Sequence, residues 1–338
     1  MTGIQFDCSK AMDIIPVGRV TIDFNPVDIN KPLDESATFR KYLGGSPANI
    51  AVGMARLDKK VGFISKVSDD RFGRFVTSYF KKEGIDTSNI VVAKNGESLG
   101  LTFTEILSPT ESSILMYRNG VADLALSPED INERYIKNAK AIVISGTALA
   151  ASPSREASLL ALEYAKKHGT AVIFDIDYRN YSWKSKMELV IYYSAVARSS
   201  DIILGSREEY DLMESVIAPG SSDQATADRW LAYGNKIIVI KHGKEGSVAY
   251  TNTGGVYTVK PFPVKLLKSF GGGDAYASAF LYGLMEGWEV IDCLEFGSAS
   301  AAMLVASHSC SDAMSGSEAI LEFIQKAKAE YGEMVVRA

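Results

Sequence analysis

The chain has 338 residues, 46% hydrophobic and 23% charged, a balance ordinary for a globular protein long enough to bury a sizeable core. Its formal net charge is −5, from 36 basic and 41 acidic residues interleaved without a Lys/Arg-rich run, which argues against a nucleic-acid-binding surface. Three scattered cysteines (Cys8, Cys293, Cys310) and three dispersed histidines (His168, His242, His308) suggest reduced thiols in a cytoplasmic protein rather than a disulfide framework or a metal cluster, and no apolar stretch reaches the roughly 20 residues that a membrane span needs.

The opening segment MTGIQFDCSKAMDIIPVG has no basic region followed by an apolar core, so no signal peptide is expected in it. Residues 18–43 and 96–126, the latter with LTFTEIL and SSILMYR, show mixed alternation without helical pattern. They predict antiparallel strands, joined into one small β-sheet lid over the main body. Helical segments near 47–57 and 71–83 lie between them. From residue 127 the rhythm becomes regular. SPEDINERYI is expected to open a helix, with Ser127 as cap, Pro128 in the first turn and Asp130 completing a capping box. The runs AIVIS (141–145), AVIFDI (171–176), DIILG (201–205) and IIVIK (237–241) alternate with helices near 154–168, 186–198, 206–216 and 223–233. Short, wholly apolar, β-branched runs suit strands buried on both faces, so the expected fold is a doubly wound α/β domain with a mostly parallel sheet and helices on both faces. No repeat, low-complexity stretch or interdomain linker interrupts it, and residues 1–338 are expected to form a single domain carrying the lid.

The segment KSFGGGDAYASAF (268–280) carries the chemistry. Apolar residues after Asp274 recur at Ala277, Phe280, Leu281, Leu284 and Met285, which is helical spacing, and Gly287 closes the segment. Gly271, Gly272 and Gly273 therefore sit at a helix N-terminus, where unpaired N–H groups and a partial positive charge form a phosphate site. A carboxylate there would repel a resting phosphate. It makes sense if Asp274 serves another atom, a substrate hydroxyl that loses its proton while attacking phosphorus. The plain alternative is a helix-start aspartate behind a glycine turn. A second glycine pair precedes a helix in YLGGSPANIAVGMARL (42–57): Gly44 and Gly45 lead to Pro47, and Asn49 offers both donors and an acceptor to sugar hydroxyls, or else bonds its own backbone.

GGSPANIAVGMARL and GGGDAYASAF together resemble the two signature segments of the ribokinase-like, PfkB-type carbohydrate kinases. VSDDRFG (67–73), DIDYRNYSW (175–183), SREE (206–209) and KHGKEG (241–246) resemble further blocks of that family, so the likeness spans about residues 13–325. The resemblance implies the ribokinase-like fold with a β lid. It implies ATP-dependent phosphorylation of a sugar-like alcohol, with Asp274 as base and Gly271, Gly272 and Gly273 as anion hole. It implies substrate contacts from Asp23, Gly45 and Asn49, and a Mg²⁺-organising carboxylate at Glu209. Ser206, Lys241, Gly243, Gly246 and Ser298 would border ATP. The chain departs from the family where Lys268, Ser269 and Phe270 replace an acidic residue and threonines, where Ser206-Arg207-Glu208-Glu209 replaces an Asn-rich acidic motif, where Asp177 stands in a place often held by Asn, and where Ser298 stands beside adenine.

Arg118 in LMYRNG and Arg179 in DYRNYSW suggest a carboxylated substrate, because arginine grips carboxylate or phosphate with two parallel hydrogen bonds. Arg118 is assigned to substrate, and Arg179 is divided between substrate and phosphate. The late block SHSCSDAM (307–314) and the lid segment MYRNGVADLAL resemble those of the sugar-acid kinases of myo-inositol breakdown, which implies phosphorylation of a terminal C6 hydroxyl. A 2-keto-3-deoxygluconate kinase, a fructokinase, a non-catalytic sugar-acid sensor on the same scaffold and a nicotinamide oxidoreductase are the alternatives, the last disfavoured because the glycine run lies late in the chain. The resemblance also implies a possible homodimer through the lid, whose exposed edges would benefit from covering.

Overall fold

The computed structural model describes residues 3–268 and 270–337; Ser269, named above among the departures, lies outside them. The chain begins with β1 (Met12–Val17), β2 (Thr21–Pro26), β3 (Phe39–Gly44) and α1 (Ser46–Arg56), followed by β4 (Ser65–Val67), α2 (Arg71–Lys82), β5 (Ile90–Val92), β6 (Gly100–Ile106) and β7 (Ser112–Tyr117). The regular half follows: α3 (Glu133–Lys137), β8 (Ala139–Ser145), α4 (Ser154–Lys167), β9 (Ala171–Asp175), α5 (Lys186–Ser199), β10 (Ile202–Ser206), α6 (Arg207–Glu214), α7 (Asp223–Leu231) and β11 (Ile237–Lys241). A hairpin of β12 (Ser247–Thr251) and β13 (Val256–Val259), then α8 (Gly272–Met285), α9 (Val290–Val305), α10 (Ser317–Tyr331) and β14 (Val335–Arg337) complete it.

The main sheet has eight strands in the order β1-β8-β9-β10-β11-β12-β13-β14. The first five run parallel and the last three are antiparallel additions. Alternation along each central strand divides the core. Val143, Ile173 and Val239 face α1, α8 and α9, while Ile142, Phe174 and Ile238 face α4 and α5 on the opposite side. This is why the strand sequences read as unbroken apolar runs: both faces are covered.

The second sheet is the lid, in the order β3-β2-β6-β7. Its strands were expected to be antiparallel, and β2–β3 and β6–β7 are, but β2 pairs with β6 in parallel. Each insertion supplies one antiparallel pair, and the pairs join through their first strands, which makes the junction parallel. One lid face carries stacked Phe24 and Phe103, with centroids 5.0 Å apart. A second difference lies at SPEDINERYI. The Ser127–Asp130 capping box forms, but it caps only a 3-10 turn over Pro128–Asp130. Ile131 is extended, and Asn132 caps the separate α3 through its side chain. Asp130 is also held by Lys66 Nζ at 2.8 Å, which fixes the turn against β4.

Candidate active site

The carboxyl ends of the parallel strands all open on one edge, and each delivers polar residues to it. Arg19 follows β1, Ser145 and Thr147 end and follow β8, Asp175 and Asp177 end and follow β9, Ser206 ends β10 with Glu209 in the first turn of α6 behind it, and Lys241 ends β11. Such an edge is where open α/β sheets bind ligands. The two glycine-led helices converge on it. α1 and α8 pack so closely that a Cβ on Gly53 would stand 2.4 Å from Ser278 Oγ. Their N-termini are thereby brought side by side, and Asn49 Nδ2 donates to Asp274 Oδ2 at 2.7 Å.

Each glycine of the cradle has its own constraint. Gly271 caps α8 in the left-handed region (φ 86), and a Cβ there would meet Cys310 Sγ at 2.4 Å. A Cβ on Gly272 would meet Val305 at 2.9 Å, whereas Gly273 is exposed and a Cβ there would meet only Lys241 Nζ, at 3.4 Å. The open side of the cradle thus faces an ammonium group. Asp274 keeps part of its surface exposed. Burial of the carboxylate and then repulsion from Asp177 raise its pKa, against hydrogen bonds from Asn49 and Ser46 and the charge of Arg179.

From the lid side, Asp23 packs over Gly44, where a Cβ would fall 2.0 Å from the carboxylate, and accepts from Thr21 Oγ1 at 3.0 Å. Gly45 takes φ 98, with Arg19 O 2.7 Å from where its Cβ would stand. Burial raises the Asp23 pKa, and Asp274 adds to the rise, so the two carboxylates sense each other across the site.

The arginines are organised around aspartates. Asp177, in the left-handed region at φ 35, pairs with Arg179 at 2.9 Å and Arg19 at 3.6 Å, and accepts from Ser145 and Thr147 at 2.8 and 3.0 Å. Burial alone would raise its pKa; the charges of Arg179 and Arg19 overcome that and hold it below the usual aspartate value. Arg118 is buried and pairs with Asp123 at 2.7 Å, while its Nε and Nη1 have no partner. Both arginines are therefore fixed before any ligand arrives, and Arg179 remains the more open.

Glu209 braces the site. Its two oxygens accept from the N–H groups of Ser206 at 2.7 Å and Tyr178 at 2.9 Å, closing the capping box of α6 and tying it to the β9 loop. Gly243 and Gly246 make the turn between β11 and β12 with φ 55 and 97, and Ser298 Oγ on α9 donates to Lys260 O at 3.2 Å, beside Gly246.

Sequence reading missed Arg19, Ser46 and Asp175. Asp175 accepts from Ser46 Oγ at 2.9 Å, and burial pushes its pKa up to about 7, opposed by Lys241 and reinforced by Asp177, Glu209 and Asp274. The available signal was its place as the last residue of an otherwise apolar strand. Among the described residues no group of three acidic, histidine or cysteine side chains forms a metal cage. The local excess of carboxylates around Asp175 and Glu209 nevertheless suits a divalent cation, which these residues would hold through water. The charged form of Asp175 is disfavoured in the folded state, so stability is full below the ordinary 3.8, is lost as pH rises from there to about 7, and levels off above. Asp175→Asn is expected to raise the thermal midpoint at pH 8 by about 4 °C or more and by clearly less at pH 5. Scanning calorimetry at the two pH values checks this.

Comparison with known proteins bears on the family and the fold. The model of the pfkB family carbohydrate kinases matches residues 12–316. A 5-dehydro-2-deoxygluconokinase from Clostridium perfringens is 73% identical over 338 residues, covering 100% of each chain, and one from Geobacillus thermodenitrificans is 54% identical over 329 residues, covering 97% of this chain and 98% of its own. The fold matches the solved structure of a putative ribokinase II from E. coli with a TM-score of 0.85 at 23% identity, over 94% of this chain and 100% of that one.

Proposed function

The chain belongs to the pfkB family of carbohydrate kinases, and from that premise we infer that it transfers the γ-phosphoryl group of ATP to the C6 hydroxyl of 5-dehydro-2-deoxy-D-gluconate. One juxtaposition carries the reading: the carboxylate of Asp274, hydrogen-bonded to Asn49 at 2.7 Å and standing beside a glycine nest that faces Lys241. The full-length relatives that share this chemistry by name support the substrate.

Asp274 accepts the C6 hydroxyl proton as that oxygen attacks phosphorus in line. The amides of residues 271–273 and the Lys241 ammonium take up the charge that spreads over the transferred group. Asp23, Gly45 and Asn49 orient the sugar chain. Arg118, pre-set by Asp123 and with two nitrogens still unpaired, takes the carboxylate. Arg179, more exposed than Arg118, serves the phosphates or the substrate. Ser206, Gly243, Gly246 and Ser298 border the nucleotide. Glu209 and Asp175 would hold Mg²⁺ through water, and the ion would neutralise phosphate charge. Lid closure excludes water and so limits wasteful ATP hydrolysis.

Among the described residues no helix is long and apolar enough to cross a membrane. We take the whole chain as one kinase domain of the cytoplasm, where ATP is at hand. The exposed Leu115 and Tyr117 on edge strand β7 supply an apolar surface through which two lids would pair as a homodimer.

A panel of sugar acids and sugars with ATP and Mg²⁺, scored by product mass and initial rate, tests the reading. The expected kcat/KM for 5-dehydro-2-deoxygluconate exceeds those for 2-keto-3-deoxygluconate and fructose by at least about 100-fold. Equal or better use of either competitor reassigns the pocket, and binding without phosphoryl transfer makes the chain a sensor instead.

A further inference from the structure

Directly behind the glycine cradle lies a lysine that the mechanism above does not use. Lys268 has 0% exposure, and its Nζ donates to Ser309 O at 2.8 Å and contacts Cys310 Sγ at 3.2 Å, with the ring of Phe270 4.8 Å away. A fully buried ammonium is costly unless an anion or a full set of acceptors compensates it. No carboxylate lies in ion-pair range of Lys268 among the described residues. The thiol is no substitute, because burial, helped by Asp23 and Asp274, pushes the Cys310 pKa up to about 11 despite the lysine.

The placement says what the charge is for. Cys310 Sγ is the atom that a Cβ on Gly271 would strike, so the lysine touches the thiol and the thiol touches the first residue of the cradle. The backbone N–H groups of Leu267 and Lys268 both bond Val305 O, the last carbonyl of α9, at 3.0 and 3.2 Å. The loop that Lys268 grips reaches the lid at its other side. Asn25 Nδ2 donates to His308 O at 2.8 Å, His308 Nε2 lies 2.7 Å from Pro26 O, and Ser311 Oγ donates to Leu43 O at 2.8 Å. One buried cation thus ties the end of α9, the lid-gripping loop and the start of the cradle together.

We propose that the Lys268 ammonium is a built-in monovalent cation of the anion hole: it fixes the cradle through Cys310 and Ser309, and its unpaired charge is balanced by the phosphoryl group in flight. Lys268 is a positioning residue, since it does not touch the reacting atoms. The proposal rests on the phosphoryl-transfer reading and adds to it the source of charge behind the amides. It also implies that the wild-type enzyme has no use for a soluble monovalent cation at this place.

Three measurements test it. Wild-type turnover is expected to be equal, within about twofold, in potassium, sodium and tetramethylammonium chloride, because the cation is covalently supplied; strong activation by potassium overturns the proposal. Lys268→Met, similar in length and neutral, is expected to lower kcat about 100-fold with KM for the sugar acid changed less than about threefold. Lys268→Ala leaves a pocket lined by a carbonyl and a thiol, and methylammonium or potassium at high concentration is expected to restore turnover at least about tenfold. If the Met variant does not fold, the Ala variant purified in ammonium chloride and the wild-type ion series still decide. Turnover by Lys268→Met within threefold of wild type, or a folded Ala variant that no cation rescues, overturns the proposal. Absence of any phosphoryl transfer by the wild type would instead fell the kinase reading on which it rests.

Discussion

Asp274→Asn is expected to lower kcat by about 10³- to 10⁴-fold while ATP binding, read by calorimetry, stays within about threefold. The substitution is nearly isosteric, and its amide oxygen can still accept the Asn49 Nδ2 hydrogen that now goes to Asp274 Oδ2. The fold and the substrate-side contact therefore survive, and what disappears is the proposed proton acceptor. The wild-type pH profile carries the same information. The Asp274 pKa lies above the ordinary 3.8 because the carboxylate is buried and faces Asp177. The base works only when ionised, so kcat/KM is expected to fall as pH falls through a midpoint above that value, and this acid limb should vanish in the variant's residual rate. Near-normal turnover by Asp274→Asn would remove the aspartate from the mechanism.

The second large effect is expected at the cap of the same helix. In Gly271→Ala the new methyl would stand 2.4 Å from Cys310 Sγ and 2.9 Å from Leu304 Cδ2, on a backbone at φ 86 that L side chains rarely adopt. Overpacking and left-handed strain together are expected to cost about 2 to 4 kcal/mol of stability. The cradle can relieve the clash only by moving, so kcat is expected to fall about 100-fold or more as the amides lose their aim. Gly273→Ala separates the two effects. Its methyl would meet only Lys241 Nζ, at 3.4 Å, and it stands on ordinary helical backbone, so stability should change by no more than about 0.5 kcal/mol. Its cost is confined to the space where the phosphoryl group must pass. Equal stability losses at the two positions would show that Gly271 carries no special constraint.

Much of this was legible in the residue order for definite reasons. Strands covered on both faces leave unbroken runs such as IIVIK, and β11 spans Ile237–Lys241 as read. The glycine run marked the start of α8 because only an unsubstituted residue fits the φ at Gly271. What the sequence hid was pairing between distant residues. The parallel junction of β2 with β6 depends on how two insertions meet, and no local pattern records that. Arg19 was not singled out at the start of the 18–43 lid segment, yet the fold buries it against Asp177 and the lid residue Met116. Arg118 read as an open receptor for carboxylate, whereas Asp123, five residues on, already holds one of its nitrogens. Lys268 was visible only as a departure from the family's pattern; its meaning depends on Ser309 and Cys310, about forty residues away and adjacent only after α8 and α9 fold.

Phosphorus NMR of the product formed by the wild type from ATP and 5-dehydro-2-deoxygluconate tests the central claim most directly. The account predicts a phosphomonoester resonance coupled to the two C6 protons, accumulating together with ADP, and lost in Asp274→Asn. ATP consumed to inorganic phosphate with the sugar acid unchanged, or an ester formed as fast without the aspartate, would contradict it.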